Sequence, residues 1–259
     1  MFDRAIVSER YEILLLLALI FRGVAFEYRG RTQRWKPVWN VAFFGGSIVS
    51  AFMQGISLGA LVQGIEVADR AYAGGWWDWL SAFSILTGLA VVVGYALLGA
   101  TWIILKTEGG LQRQMQGYAW WLGAGTLAFI ALVSILTHSQ NPEHFSRWLN
   151  LPRSVFSIVM FVAVSAAAWV LFTGLKAGKD GQPFWAAISI FVLCFIVIVI
   201  SFYPNIVPPS LTIVEAAAPD KSLRFALVGT VVLVPLILAY TAYTYWVFRG
   251  KIDPAEGYH

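Results

Sequence analysis

Long, nearly uncharged apolar runs are the feature that most constrains how this chain folds. A helix needs about 20 apolar residues to cross about 30 Å of hydrocarbon. Segments of this kind occur at 11–28, 38–65, 80–105, 117–137, 154–175, 184–203 and 224–248. The runs are continuous rather than alternating, which disfavours membrane strands. We therefore predict an all-α fold, a polytopic membrane helical bundle with about seven transmembrane helices that forms a single integral domain over 1–259.

Composition excludes the main soluble classes. Charged residues make up 12% of the 259 residues and hydrophobic ones 59%, whereas a soluble domain carries about a quarter charged residues. The net charge of +4 could suggest nucleic acid. However, the cations lie between the apolar runs, without an aromatic–basic motif, so no nucleic-acid partner is expected.

The distribution of Lys and Arg predicts the orientation of the chain. Ten lie on one side of the predicted membrane: Arg29, Arg31, Arg34, Lys36, Lys106, Arg113, Lys176, Lys179, Arg249 and Lys251. Seven lie on the other side: Arg4, Arg10, Arg70, Arg147, Arg153, Lys221 and Arg224. Because loops richer in Lys and Arg stay in the cytoplasm, we expect a multi-pass protein with a cytoplasmic C-terminus.

The second span carries small residues at a spacing that favours close helix packing. Ser47, Ala51, Gly55 and Gly59 recur every four residues, so they share one side of a helix. Small residues in such a row let another membrane helix approach closely. We interpret the row as a packing surface rather than as part of a transport path.

The sequence offers few ligands for a redox centre. The histidines are His138, His144 and His259, which we predict in loops or in the tail, and Cys194 is the single cysteine. Haem and metal sites need His, Cys, Met or clustered carboxylates, so we expect none in this chain. A retinal Schiff base is disfavoured because the last span, 224–248, contains no lysine.

Two charged residues in the first span are the candidate functional residues, Arg22 and Glu27. A cation at the centre of a span costs about 2.5–3.5 kcal/mol on insertion scales. Arg22 either snorkels to the nearby basic flank or pairs with an acid on another helix or subunit. Five residues on a helix correspond to a displacement of about 140°, so a direct pair with Glu27 is disfavoured and two different partners are expected.

Four stretches, in sequence order, resemble subunit II of the cytochrome bd-type quinol oxidases. They are LIFRGVAFEYR at 19–29, LGATWIILKTEGGLQ at 98–112, FYPNIVPPSLTIVEAAAP at 202–219 and VPLILAYTAYTYWVFRGKI at 234–252. The resemblance implies an integral subunit of a terminal oxidase that oxidises quinol and reduces oxygen to water. It also implies location in the plasma membrane of a bacterium or archaeon.

The resemblance further implies which subunit of the complex carries the cofactors and which one supports assembly. Haems b and d and the site for the quinol substrate are expected in the haem-bearing subunit I. This chain is expected to carry no cofactor and no catalytic centre and to support assembly of subunit I. Glu27 then becomes a candidate carboxylate of a proton path, with Arg22 as a charge-pair candidate. Small single-helix subunits, membrane lipid and quinone are the other expected partners.

The sequence departs from the family pattern at its start, and two other functional classes are alternatives. Family members begin with two further helices that bear DGFDLG-like and WDGNEVW-like stretches, and neither stretch occurs here. We therefore expect this sequence to lack those two helices and assign no complete proton route to it. The alternatives are a secondary transporter, which would be expected to show related halves, and a membrane scaffold without a redox role.

Overall fold

The fold is that of a computed structural model, which describes residues 5–32, 34–64, 67–68, 71–72, 77–140, 153–207 and 211–251. Long helices make up most of these residues. The predicted fold class, an all-α polytopic membrane bundle, is confirmed.

The helices in chain order are α1 (Ala5–Arg31), α2 (Lys36–Gln63), α3 (Ala82–Lys106), α4 (Gly109–Gln140), α5 (Arg153–Lys176), α6 (Gln182–Phe202), α7 (Ile213–Ala216) and α8 (Asp220–Val247). Two short antiparallel ribbons lie in the connections. One pairs β1 (Val67–Ala68) with β2 (Ala71–Tyr72), and the other pairs β3 (Asn205–Val207) with β4 (Leu211–Thr212).

Six of the described helices, α2 to α6 and α8, are long and apolar enough to cross a membrane. The first helix, α1, differs because charge interrupts its apolar run. Every 18-residue stretch of α1 holds at least three charged residues, such as Arg22, Glu27 and Arg29 in 13–30. A membrane crossing by α1 therefore stays a prediction from the sequence.

The fourth helix is longer than the predicted span 117–137. It begins at Gly109, which has a φ of +75°, and continues to Gln140. Polar residues at its start do not end the helix, because a helix can continue beyond the hydrocarbon into the aqueous layer. The prediction that His138 lies in a loop is therefore wrong at the backbone level. Its side chain, His144 and His259 lie outside the described residues.

Local sequence explains how the helices begin. Ser81 caps α3 with a capping box, in which its hydroxyl accepts from the Ser84 backbone and the Ser84 hydroxyl accepts from the Ser81 backbone. Pro37 lies in the first turn of α2, where its missing N–H costs no helical hydrogen bond. Pro183 has the same place in α6.

The helices pack in sequence order as antiparallel neighbours. Helix α1 packs on α2, α2 on α3, α3 on α4 and α5 on α6, and the contacts α3–α6 and α4–α5 join these pairs. Between α3, α4, α5 and α6 lies an aliphatic core formed by Leu97, Ala100, Ile104, Ala119, Ala168, Leu171, Leu175, Ala186, Ala187 and Ile190.

The predicted row of small residues on α2 faces α3. A Cβ added at Gly55 would lie 2.6 Å from the Gly88 Cα, and one at Gly59 would lie 2.7 Å from the Ser84 Cα. Thr87 strengthens the contact by donating its hydroxyl to the Gly55 carbonyl oxygen over 2.8 Å. The close approach predicted for this surface is confirmed at Gly55 and Gly59.

Candidate functional site

The first candidate residues lie on a helical hairpin formed by α1 and α2. Ala18, Arg22, Ala25 and Arg29 follow one another at intervals of four, three and four residues, so they share one side of α1. Ala18 and Ala25 are buried, and a Cβ added at Gly46 of α2 would lie 2.7 Å from the Ala18 carbonyl oxygen. Two arginines therefore alternate with small residues along the side of α1 that faces α2.

Arg22 finds an aromatic partner on the neighbouring helix. Its guanidinium carbon lies 5.7 Å from the centroid of the Phe43 ring. Such cation–π contacts contribute about 0.5–1 kcal/mol at exposed sites. Phe43 lies two turns into α2 and Arg22 more than two turns from the end of α1, so the guanidinium leans toward the hairpin connection. This direction fits the snorkelling interpretation of Arg22.

Glu27 pairs with a different residue, as the 140° displacement predicts. Its Oε1 lies 2.7 Å from Nη2 of Arg31, one turn further along α1. Both side chains are exposed, by 62% and 73%. An exposed pair at this spacing contributes at most about 1 kcal/mol, so it orients the carboxylate more than it stabilises the helix.

Aromatic and amide side chains fix the end of the hairpin near its connection. Arg29 donates from Nε to Asn40 Oδ1 over 2.6 Å. Tyr28 stacks on Trp39 with ring centroids 5.5 Å apart. Tyr and Trp favour the boundary between hydrocarbon and water, so this stack indicates the level of the interface on the hairpin.

A second polar cluster joins the α3–α4 connection to the C-terminal segment. The Lys106 ammonium donates to the backbone carbonyl oxygens of Phe248 and Gly250, the latter at 3.2 Å. It also lies 5.0 Å from the centroid of the Trp102 ring. Lys106 is 8% exposed, and these acceptors and the ring explain how a buried ammonium is satisfied.

Lys251 completes this cluster from the other side. Its ammonium lies 2.6 Å from Asp180 Oδ2 and 2.9 Å from Glu108 Oε1. Gln112 donates to Asp180 Oδ1 over 2.8 Å and to the Ile104 carbonyl oxygen over 3.0 Å. The hydrogen bonds to Asp180 and then to Glu108 raise the pKa of Lys251 above its usual value. We call Lys106, Glu108, Gln112, Asp180 and Lys251 the C-terminal clasp.

Sequence reasoning missed the clasp because its members are far apart in the chain. Lys106, Glu108 and Gln112 come from the stretch at 98–112, and Lys251 comes from the stretch at 234–252. The sequence alone indicates Lys106 and Lys251 only as topology signals. One feature of the sequence could have indicated the clasp: the lysines of both quoted stretches lie on the same predicted side of the membrane.

The four-helix core offers few groups that fit a haem or a metal. Among the described residues, no three His, Cys, Asp or Glu side chains are grouped closely enough to hold a metal ion. Met115 and Cys194 lie partly buried against the aliphatic core. An axial ligand from this core would have to be one of these two sulfur atoms. The four-helix core is therefore typical of helix packing.

Comparisons with known proteins give a consistent result over most of the chain. The family model for "Cytochrome bd terminal oxidase subunit II" matches residues 11–248. The "Cytochrome bd ubiquinol oxidase subunit 2" of Bacillus subtilis is 27% identical over 254 residues, which cover 94% of this chain and 73% of that protein. The "Cytochrome bd-I ubiquinol oxidase subunit 2" of Escherichia coli K12 is 28% identical over 281 residues, covering 94% and 74%. The "Probable cytochrome oxidase subunit 2" of Haemophilus influenzae is 24% identical and covers 93% and 73%.

Proposed function

Because this chain belongs to the cytochrome bd terminal oxidase subunit II family, we propose that it is the haem-free membrane subunit of a quinol-oxidising terminal oxidase. It supports assembly of the haem-bearing subunit I and delivers protons through Glu27. Membership of the family makes the chain a subunit of an oxidoreductase complex with a partner oxidase subunit. It argues against the secondary transporter and against the scaffold without a redox role.

The finer assignments belong to the same proposal. Haems b and d and the quinol site lie in subunit I, and this chain has no catalytic centre of its own. The complex lies in the plasma membrane, with the C-terminus of this chain in the cytoplasm because the more basic side faces inward. Small single-helix subunits, lipid and quinone contact its outer surface.

The observation that carries the haem-free assignment is the position of the histidines. None of the predicted spans contains a histidine, and histidine is a common axial ligand of haem iron. Aliphatic packing between α3, α4, α5 and α6 supports the same assignment, because the volume between these helices is filled by Leu, Ile and Ala side chains.

Absorption spectroscopy tests the haem-free assignment. The chain is purified alone and also as a complex with its oxidase partner, and both samples are measured in the Soret region. We expect a Soret band from the complex and none from the chain alone. A stoichiometric haem spectrum from the isolated chain would overturn the proposal.

The exposure of Glu27 supports the proton-delivery role. Its carboxylate is 62% exposed and lies one turn from the end of α1. A carboxylate in this place can take a proton from water and pass it to a group on a partner subunit. Arg31 holds the carboxylate in one orientation without removing it from solvent.

Two matched substitutions test the role of Glu27. Glu27→Gln removes the titratable group, and Arg31→Gln breaks the same ion pair while keeping the carboxylate. We expect Glu27→Gln to lower oxidase turnover about tenfold or more, with haem content unchanged, because general acid–base groups contribute about 10²–10⁴-fold. Arg31→Gln is expected to keep most of the turnover. Equal loss in both variants, or loss of haem with Glu27→Gln, would instead indicate a structural role.

A further inference from the structure

We propose that the α1–α2 hairpin binds an anionic phospholipid through a stripe of three cations, Arg22, Arg29 and Lys36. The phosphate group of the lipid lies against the arginines and the lysine near the hairpin connection. Its acyl chains lie along the apolar surface of the two helices. This site is separate from the proposed role of Glu27 and does not depend on it.

Helical spacing and contacts place the three cations along one seam. Arg22 and Arg29 are seven residues apart, close to two full turns, which separates them by about 10 Å along α1. Both contact α2, Arg22 at Phe43 and Arg29 at Asn40. Lys36 precedes Asn40 by four residues and so lies on the same side of α2. The three cations therefore follow the line where the two helices meet.

The described part of the hairpin, from 13 to 64, provides no counter-charge for this stripe. From 13 to 64, the one acidic side chain in the described part of the hairpin is Glu27. It lies about 140° around α1 from Arg22, and its carboxylate is bound to Arg31. The acid thus neutralises the opposite side of α1, and the seam keeps its positive charge.

Depth in the membrane favours a lipid phosphate as the missing anion. Within the membrane crossing that the sequence predicts for α1, Arg22 lies nine residues before the end of the helix, about 13 Å along its axis, where bulk water alone does not solvate it. Its guanidinium leans toward the hairpin connection, over Phe43. The Tyr28–Trp39 stack, which indicates the level of the interface, lies between Arg22 and the hairpin connection, and basic sites between membrane helices bind anionic head groups.

The arginine chemistry fits a phosphate. Arg29 uses Nε to bind Asn40, so its two terminal nitrogens remain for a second acceptor, and a guanidinium binds phosphate through two parallel hydrogen bonds. Beside the seam, Phe21, Phe26 and Phe44 are exposed by 54%, 74% and 66%. These rings offer the apolar surface that acyl chains cover.

The test uses the intact oxidase complex in nanodiscs of phosphatidylcholine and phosphatidylglycerol, with retained lipids counted by native mass spectrometry. Arg29→Gln with Lys36→Gln removes two cations of the stripe and keeps Arg22. Lys176→Gln with Lys179→Gln removes one cation at the end of α5 and one in the connection to α6, so it is the matched control. We expect the first pair to lower the preference for phosphatidylglycerol about fivefold or more and the control pair to leave it unchanged.

Three results would overturn the proposal. Equal loss of phosphatidylglycerol in both double variants would show diffuse attraction to the basic side. Full retention in the Arg29 and Lys36 variant would show that the stripe binds no lipid. Loss of the partner subunit with lipid retained would show that the cations bind an acidic group of that subunit instead.

A single variant keeps the test decisive if the double variant does not assemble. Lys36→Gln leaves the hydrogen bond between Arg29 and Asn40 in place, and we expect it to give a smaller loss of phosphatidylglycerol. Haem content measured on the same sample reports intact assembly. An unchanged lipid preference in Lys36→Gln would count against the proposal.

Discussion

Helices α3 and α8 have nearly the same mean hydropathy and opposite surroundings. In the most apolar 18-residue stretch of α3, 33% of the residues are buried within the chain, whereas 0% are buried in the corresponding stretch of α8. Helix α3 packs on α2, α4 and α6, whereas none of the described residues of α8 is buried. Hydropathy alone therefore decides that both helices belong in a membrane, and it does not decide which of them has protein neighbours.

The side chains that differ between the two helices explain the contrast. Helix α3 presents Ser84, Thr87 and Gly88 to α2, and these let the backbones approach and share a hydrogen bond. Helix α8 presents mainly large apolar side chains, among them Val231, Val232 and Leu236, which are exposed by 62%, 63% and 65%. Close packing in membranes depends on small and polar residues, and α2 and α3 bring such residues together where they meet.

One end of α8 is nevertheless fixed. Tyr245 lies edge-on to Trp102 with ring centroids 5.8 Å apart, and the C-terminal clasp holds the residues that follow. The last helix is thus joined to the bundle through its C-terminal end. Its remaining length is available to lipid or to other subunits of the oxidase.

The largest effect is expected from overfilling the α2–α3 contact. A Cβ at Gly88 would lie 2.6 Å from two ring carbons of Phe52, whereas a Cβ at Gly99 on the same helix meets nothing within 4 Å. We expect Gly88→Leu to lower the free energy of unfolding by about 3 kcal/mol or more, because overpacking forces the helices apart. Gly99→Leu is the control and should change it little. Thermal unfolding in nanodiscs measures both, and equal stability would contradict the packing argument.

Removal of the buried clasp cation should have the next largest effect. Lys106→Met leaves the carbonyl oxygens of Phe248 and Gly250 without their charged donor. Hydrogen bonds to charged groups contribute about 1.5–3 kcal/mol, so we expect hydrogen exchange in 245–251 to accelerate about tenfold or more. Lys176→Met, at the exposed end of α5, should leave this exchange unchanged. An unaltered exchange rate in Lys106→Met would show that α8 is held by other contacts.

A smaller effect is expected within the span of α8. A Cβ added at Gly229 would meet no atom within 4 Å, so Gly229→Leu should change the free energy of unfolding of the isolated chain by less than about 0.5 kcal/mol. Thermal unfolding of the chain without partner subunits measures this. A loss comparable to that of Gly88→Leu would break the contrast between α3 and α8.

The smallest effect is expected from the titration of Lys251. The pKa of Lys251 is raised, mainly by the hydrogen bond to Asp180. Its contribution to holding the C-terminal segment is therefore complete below the usual lysine pKa of about 10.4. The contribution is lost only as the pH rises through the raised pKa of the folded state. A spin label at Arg249→Cys, in a Cys194→Ser background, should stay immobile at neutral pH and gain mobility only as the pH rises above the usual lysine pKa. With Lys251→Gln, mobility should already be high at neutral pH.

Sequence reasoning located most of the long helices to within a few residues, and the starts of α1 and α4 are the exceptions. In α4 the predicted span began at 117, but the helix already begins at Gly109. Polar residues indicate contact with water, but they do not indicate where a helix begins or ends. The separate orientations of Arg22 and Glu27 were predictable, because helical geometry fixes the angle between them.

The aromatic partner of Arg22 was not predictable from the sequence. Phe43 meets Arg22 because α1 and α2 cross at Ala18 and Gly46, and this crossing is a property of the packed hairpin. The clasp was hidden for a similar reason, since Asp180 and Lys251 are 71 residues apart.

By itself the sequence determined that the chain belongs in a membrane, that it is helical and which family it resembles. These follow from apolar length, charge distribution and local motifs, all of which act over tens of residues or fewer. Only the tertiary structure decided that α3 is enclosed while α8 is exposed, and that the α3–α4 connection holds the C-terminal segment. Such contacts depend on which surfaces of distant helices fit together, and hydropathy contains no information about that fit.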